Sequence, residues 1–367
     1  LITYPLIIAE AGINHNGDFD KAIQLVDAAL VAGADCIKFQ CHIAEAEMLR
    51  VDERLWDIIK RCEFTEAEER KIKSYCEEKG IIYLSTPFSR EAADRLNDMG
   101  VTAFKIGSGE CNNLPLLEHV AKFGKPIFLS TGMNDMESIR KSVSLVQIYG
   151  VPLVLMHCTS MYPTPYDKVR LGVITQFIKE FQVPVGLSDH SIGVYTCLGA
   201  VALGACVLEK HFTVSRDWAG PDNSISIEPD ELEYLVKGVK AICAALGGTK
   251  EILPEEKPVI DFAYASVVTI KEIKKGECFS LDNIWVKRPG TGEILAKDLN
   301  TVLGKKATRD LDKDIQVSYS DIEEPFSTCM FCCISPPGDG STCAGGSCSC
   351  TETYTCDKCK VKEEYGL

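Results

Sequence analysis

Eight short apolar runs in this chain end in side chains that can do chemistry. The endings read AEAGINHNG with Glu10, Asn14 and His15, IKFQ with Lys38 and Gln40, STPF with Thr86, and FKIGSGE with Lys105, Ser108 and Glu110. They continue with LSTG carrying Ser130 and Thr131, HCTSMYP carrying His157, Thr159, Ser160 and Tyr162, LSDH carrying Ser188, Asp189 and His190, and EKHF carrying Glu209, Lys210 and His211. Lys38 and Lys105, joined by the hydroxyls of Thr86, Ser108, Ser130 and Ser188, make a cradle for a small polyanion bearing phosphate and carboxylate, because ammonium groups hold such oxygens by charge-assisted hydrogen bonds. His190 and His211 close the last two runs, and two neutral imidazoles suit Mn²⁺, Zn²⁺ or Fe²⁺ while leaving positions for water and a substrate oxygen. Glu10, Glu110 and Asp222 are carboxylates able to bind sugar hydroxyls or take a proton. Singly, a lysine or histidine in such a place is more often ion-paired or solvated than catalytic. Convergence of all eight endings on one rim reverses that judgement, and convergence depends on the fold.

The elements between the endings supply it. Strand-like runs fall at 6–12, 34–40, 81–88, 103–110, 126–132, 152–159, 183–190 and 206–213, separated by amphipathic stretches expected as helices at 20–32, 66–79, 90–99, 135–149, 170–181, 194–203 and 229–246. Glycines close several helices just before the next strand, among them Gly33 and Gly80, as a left-handed C-terminal residue requires. Eight such units predict an α/β fold, a closed (β/α)₈ TIM barrel spanning residues 1–250, whose C-terminal strand ends form one working face. A doubly wound sheet fits less well, because no G-x-G-x-x-G follows the first run and Gly107-Ser108-Gly109 stands alone. Beyond the loop 247–258 the pattern changes to short extended runs at 265–270 and 284–287, separated by KKGE and RPGTGE, so a small β-rich domain is expected over 259–320.

Composition bounds the rest. The chain of 367 residues is 46% hydrophobic and 25% charged, ordinary for a globular protein, and its net charge of −14 offers no basic stripe for nucleic acid or anionic lipid. No apolar stretch is long enough to span a bilayer, and LITYPLII lacks the features of a signal peptide. Of 18 cysteines, ten are scattered before residue 329, mostly within apolar runs, which fits a reducing cytoplasm. The other eight crowd between Cys329 and Cys359 in a Cys-rich tail over 322–367, poor in large aliphatic residues and expected to be poorly ordered without metal or disulfides.

Taken in order, AEAGINHNGDF, IKFQ, LSTPF, FKIGSGE, LSTGM, HCTSMYPTP, GLSDHSIG, LEKHFT, AGPD and the later VKRPGTGEI resemble the sialic acid synthase family, the bacterial-type N-acetylneuraminate synthases, over about residues 4 to 320. The resemblance implies a barrel followed by an antifreeze-like (SAF) domain in a domain-swapped homodimer. It implies a transferase that condenses phosphoenolpyruvate with N-acetylmannosamine or a related N-acyl sugar, releases phosphate by C–O cleavage and needs Mn²⁺ or Mg²⁺. Carried over, Lys38, Thr86, Lys105, Ser108, Ser130 and Ser188 would hold phosphoenolpyruvate, His190 and His211 the metal, and Glu110 the attacking water. Glu10, Gln40, Tyr162 and Asp222 would grip the sugar, and Arg288 of the partner subunit its N-acyl group. Ser160 stands where many of these synthases have Asn, and Asn223 where His is common, which bears on the choice of sugar.

Two alternatives stay open at this level. The acceptor could be a 6-phosphorylated sugar or a legionaminic- or pseudaminic-type precursor. A non-enzymatic reading makes the chain a thiolate metal-binding protein through Cys329-x₂-Cys332-Cys333, Cys348-x-Cys350 and Cys356-x₂-Cys359.

Overall fold

In the computed structural model, residues 4–323 are described, so the cysteine cluster from Cys329 to Cys359 and nearly all of the expected tail lie outside the described residues. The chain divides into two compact units, one ending at Thr249 and the other beginning at Lys250. The first is built on eight strands: β1 Leu6–Gly12, β2 Cys36–Cys41, β3 Ile82–Pro87, β4 Phe104–Ile106, β5 Ile127–Ser130, β6 Leu153–Cys158, β7 Val185–Asp189 and β8 Val207–His211. They form one parallel sheet in the order β3-β2-β1-β8-β7-β6-β5-β4. β3 and β4 lie side by side without a ladder, so the barrel is nearly closed.

Strand periodicity places the chemistry. Alternate residues share a face, and inside the barrel Ile8, Cys36, Leu84, Ala103, Met156 and Val207 form a separate apolar cluster. Two residues further along the same strands stand Glu10, Lys38, Thr86, Lys105, Cys158 and Glu209. An apolar plug therefore floors a polar well. The opposite faces, with Ile7, Ala9, Ile37, Phe104, Leu129 and Leu208, pack against the surrounding helices in the main core. Gly186 is where two strands crowd most, since a Cβ there would lie 2.7 Å from the Val207 carbonyl oxygen.

The helices begin and end where their side chains dictate. Thr65 accepts from the Glu68 amide and Glu68 reaches back to the Thr65 amide, a capping box that starts Glu66–Lys79, and Gly80 at φ 79° ends it. Two sequence expectations differ from what is seen. The run 103–110 is a strand only over Phe104–Ile106, because Ser108–Glu110 turns tightly with the Glu110 amide bonding the Gly107 carbonyl at 3.0 Å. The helices Ala44–Glu47, Glu53–Cys62 and Leu114–Ala121 were not anticipated. Glu53–Cys62 carries Leu55, Ile58, Ile59 and Cys62 at helical spacing, an amphipathic signal present in the sequence, although only Cys62 of these is buried.

The second unit has its own core of Val267, Ile273, Phe279, Ile284, Ile294, Val302, Leu311 and Val317. Its antiparallel pair β9 Ser266–Thr269 and β10 Ile284–Lys287 matches the extended runs read from the sequence. Among the described residues no helix is long and apolar enough to cross a membrane.

Candidate active site

Strand register brings the site residues to one level. Glu10 on β1 lies opposite Lys38 on β2 and His211 on β8, Gln40 lies opposite Thr86, and Ser188 lies opposite Glu209. Together they line a cleft of about 320 Å³, with Lys105, Ser108, Ser130, Cys158, Ser160, Tyr162, His190 and Asp222 also on its wall.

At its base two ammonium groups and two carboxylates interlock. Lys38 Nζ is 2.7 Å from Glu10 Oε2, donates to Thr86 Oγ1 at 3.0 Å and stands 3.8 Å from Glu209. Lys105 Nζ donates to both Glu209 oxygens at 2.8 Å, and the Ser188 hydroxyl donates to the same carboxylate at 3.2 Å. Burial works against the Glu209 charge, but Lys105 and Lys38 overcome it and hold that carboxyl at about 2. Burial wins at Glu10, raising its carboxyl despite Lys38, with Glu209 adding to the rise. It also wins at Lys105, lowering its ammonium despite Glu209, whereas Lys38 is raised because Glu10 and Glu209 outweigh its burial. The Ser130 hydroxyl is buried without a hydrogen-bond partner among the described residues, an open donor for a ligand.

The two imidazoles meet above this cluster, their ring centroids 5.2 Å apart, with the Tyr162 ring 4.2 Å from His190 and 5.9 Å from His211. His190 Nδ1 donates to the Thr159 carbonyl at 3.0 Å, and although burial opposes it, Cys158 and that carbonyl raise this imidazole above its ordinary value, so Nε2 is the nitrogen that offers a lone pair once the ring gives up its proton. Burial first, and then the neighbouring His190, push His211 well below the ordinary imidazole value. Its buried Nδ1 has no hydrogen-bond partner among the described residues and lies 3.8 Å from Asp222. A neutral, partnerless imidazole beside an oriented one fits a divalent cation. Among the described residues no group of three or more His, Cys, Asp or Glu side chains is arranged to hold a metal, so most ligand positions would fall to water or substrate.

Lys210 alternates away from the well and does a different task. Its ammonium meets Asp189 Oδ2 at 2.6 Å, and the same oxygen accepts from Thr196 at 2.8 Å and Ser191 at 3.0 Å, pinning the turn that carries His190. Asp189→Ala is expected to cost about 3 to 5 kcal/mol, because it strands a buried ammonium. Thermal melts should show a drop of many degrees, and an unchanged melting temperature would contradict this role.

The cleft gathers Glu10, Lys38, Gln40, Thr86, Lys105, Ser108, Ser130, Tyr162, Ser188, Asp222, His190 and His211. Within the first unit one expected residue stands apart from the cleft wall, and one belongs to the second unit. Glu110 is in the turn after β4, accepting from Asn113 Nδ2 at 2.5 Å, and is not part of the cleft wall. Arg288 belongs to the second unit, where its guanidinium sits 5.6 Å over the Phe262 ring. Ser160 lines the cleft, but Asn223 does not, since its side chain is buried against Thr213 and the Asn14 carbonyl. Sequence reasoning gave Glu209 no role, although its place two residues before His211 puts it on the same inward face.

The chain matches the NeuB family over residues 25–251 and the SAF domain over residues 264–323. It is 39% identical to N,N'-diacetyllegionaminic acid synthase of Campylobacter jejuni, over 84% of this chain and 97% of the relative. It is 35% identical to N-acetylneuraminate-9-phosphate synthase of Homo sapiens, over 84% of this chain and 90% of the relative. The crystal structure of N-acetylneuraminic acid (sialic acid) synthetase from Leptospira borgpetersenii, in complex with citrate, superposes with a TM-score of 0.67 at 36% identity, covering 70% of this chain and 91% of that one.

Proposed function

The chain belongs to the NeuB family, the sialic acid synthase family, and from that membership and the cleft we propose that it condenses phosphoenolpyruvate with an N-acyl amino sugar to make a nonulosonic acid of the sialic acid type. The observation that supports this most is the pair of buried lysines, Lys38 and Lys105, set beneath two imidazoles in one well. Lys38 and Lys105, with the hydroxyls of Thr86, Ser108, Ser130 and Ser188, hold the phosphate and carboxylate of phosphoenolpyruvate at the floor. Glu10, Gln40, Tyr162 and Asp222 hold the open-chain sugar above it, aldehyde toward C3 of the enol. His190 and His211 would hold a divalent cation, Mn²⁺ or Mg²⁺, which would supply Lewis-acid stabilisation of the negative charge developing on the aldehyde oxygen.

The bond balance is simple. The enol π electrons form the new bond from C3 to the aldehyde carbon as the C=O pair moves onto the aldehyde oxygen, water adds to C2, and the resulting tetrahedral carbon becomes the ketone and expels inorganic phosphate by C–O cleavage, one water proton ending on the new hydroxyl and the other on phosphate. The water proton needs a base. We assign it to Glu110, whose carboxylate must leave Asn113 and turn toward the cleft to take it. Phosphoenolpyruvate carrying ¹⁸O at its bridging oxygen should therefore deliver that label to the released phosphate, read by mass spectrometry. Unlabelled phosphate would refute this route.

The acceptor is a free N-acyl sugar in this reading. Lys38 and Lys105 are the only lysine or arginine side chains on the described cleft wall, and the floor uses both, so a second phosphate would find no cation of its own. Relatives named for a legionaminic acid and for a 9-phosphate product keep the N-acyl pattern and the phosphorylated acceptor as competing readings, separable by assay with both sugars. Arg288 is proposed to bind the N-acyl group in the barrel of a second copy, as a domain-swapped homodimer would allow, and the cytoplasm is the proposed compartment.

A further inference from the structure

A line of polar side chains runs outward from Glu10 and Gln40 in the cleft to His42 and Glu47, two residues that none of the steps above uses. Gln40 Nε2 donates to Glu10 Oε1 at 3.0 Å. Gln40 Oε1 lies 3.0 Å from His42 Nε2, and His42 Nδ1 lies 3.0 Å from both oxygens of Glu47. The imidazole is 3% exposed and the Glu47 side chain 8% exposed, so water competes little for these contacts. The ring also lies flat on Phe88, centroids 4.7 Å apart and planes 3° from parallel, and Phe88 is part of the cleft wall.

The hydrogen-bond arithmetic fixes the direction of the line. Both nitrogens of His42 face acceptor oxygens, the Glu47 carboxylate at Nδ1 and Gln40 Oε1 at Nε2, while the Gln40 Nε2 amide donates to Glu10. A donor at Nε2 requires the amide oxygen of Gln40 to face it. The amide NH₂ is then turned toward Glu10 and the cleft, whereas a free glutamine would sample both orientations.

We propose that His42, anchored by Glu47, is a positioning residue for the acceptor sugar: it locks the Gln40 amide so that Gln40 and Glu10 present a fixed set of hydrogen-bond partners to the sugar hydroxyls. This rests on the reading that these two residues face the sugar. His42 makes no hydrogen bond to either floor lysine, and its line reaches Lys38 only through Gln40 and then Glu10, so its influence falls first on the sugar-facing pair and more weakly on phosphoenolpyruvate.

His42→Phe keeps a ring on Phe88 and removes both hydrogen bonds, while Glu47→Gln keeps the volume and removes the carboxylate that anchors Nδ1. His42→Phe is expected to raise the sugar KM about tenfold and Glu47→Gln about threefold, each leaving the phosphoenolpyruvate KM within about twofold. In ¹H–¹⁵N spectra the Gln40 side-chain amide, assigned by its loss in Gln40→Met, should move toward solvent-like shifts in both variants. An unchanged sugar KM with a lowered melting temperature would mean a merely structural role and overturn the proposal. Should the wild type fail to join phosphoenolpyruvate to any N-acyl amino sugar, the proposed function falls, and the amide signals still judge His42: no movement in either variant overturns the positioning role. If His42→Phe does not fold, Glu47→Gln decides by the same two readouts.

Discussion

Glu209→Gln is expected to lower kcat/KM for phosphoenolpyruvate by about a hundredfold or more, the scale of removing one partner from a buried ion pair at about 3 to 5 kcal/mol. Glu209 accepts two hydrogen bonds from Lys105 and holds that ammonium in a site whose burial already favours its neutral form. Without the carboxylate, Lys105 loses its proton at lower pH, so the phosphoenolpyruvate KM of the variant should climb as pH rises through the alkaline range while the wild-type value climbs less. Stability should respond at the other end of the scale. The Glu209 carboxyl sits at about 2 in the folded protein against an ordinary 4.5. Its contribution is therefore complete above pH 4.5 and is lost as pH falls toward 2. Melting curves across that window should fall more steeply for the wild type than for the variant. A variant with wild-type phosphoenolpyruvate kinetics at every pH would remove Glu209 from the cradle.

The double variant His190→Ala, His211→Ala is expected to lose bound Mn²⁺ in equilibrium dialysis and to lose turnover by about a thousandfold or more, since Lewis-acid stabilisation of developing charge is worth several kcal/mol. Chelation of the wild type should produce the same loss, reversed by adding Mn²⁺ or Mg²⁺. Phosphoenolpyruvate binding, measured by calorimetry, should persist in the double variant, because both lysines of the floor remain. Retained metal or retained turnover would show that these imidazoles serve another purpose.

Much of this site is legible from alternation along single strands. Ile8 and Glu10, Cys36 and Lys38, or Val207 and Glu209 each pair an apolar residue with a polar one on the same inward face, and β1 matches its expected limits because its run is half-buried at Leu6 and buried from Ile7 to Gly12. What a single strand cannot reveal is which cation meets which anion. Lys105 and Glu209 are 104 residues apart and adjacent only through barrel closure, so the sequence shows two lysines suited to an anion but not that a carboxylate already occupies them. Glu110 lies within a suggestive motif, and what the sequence does not show is that its carboxylate accepts from Asn113 outside the cleft wall, just as nothing in AGPDN shows that the Asn223 side chain pairs with Thr213. His42 and Glu47 escaped notice because the short helix Ala44–Glu47 that brings them together has no pattern of its own.

The apolar plug beneath the polar well has a kinetic consequence. With Ile8, Leu84, Met156 and Val207 filling the floor, reactants reach the lysines from the strand-end side, where Tyr162 stands 55% exposed. Whatever occupies the lysines is roofed by whatever occupies Gln40 and Tyr162. On the proposed chemistry, with phosphoenolpyruvate on the lysines and the sugar on Gln40 and Tyr162, entry and exit are put in sequence: the anion would arrive before the sugar, and phosphate would depart only after the longer carbon chain has cleared the mouth. Free phosphate then competes with the first reactant alone, and a cell's phosphate pool becomes a brake on the enzyme that acts through the empty well.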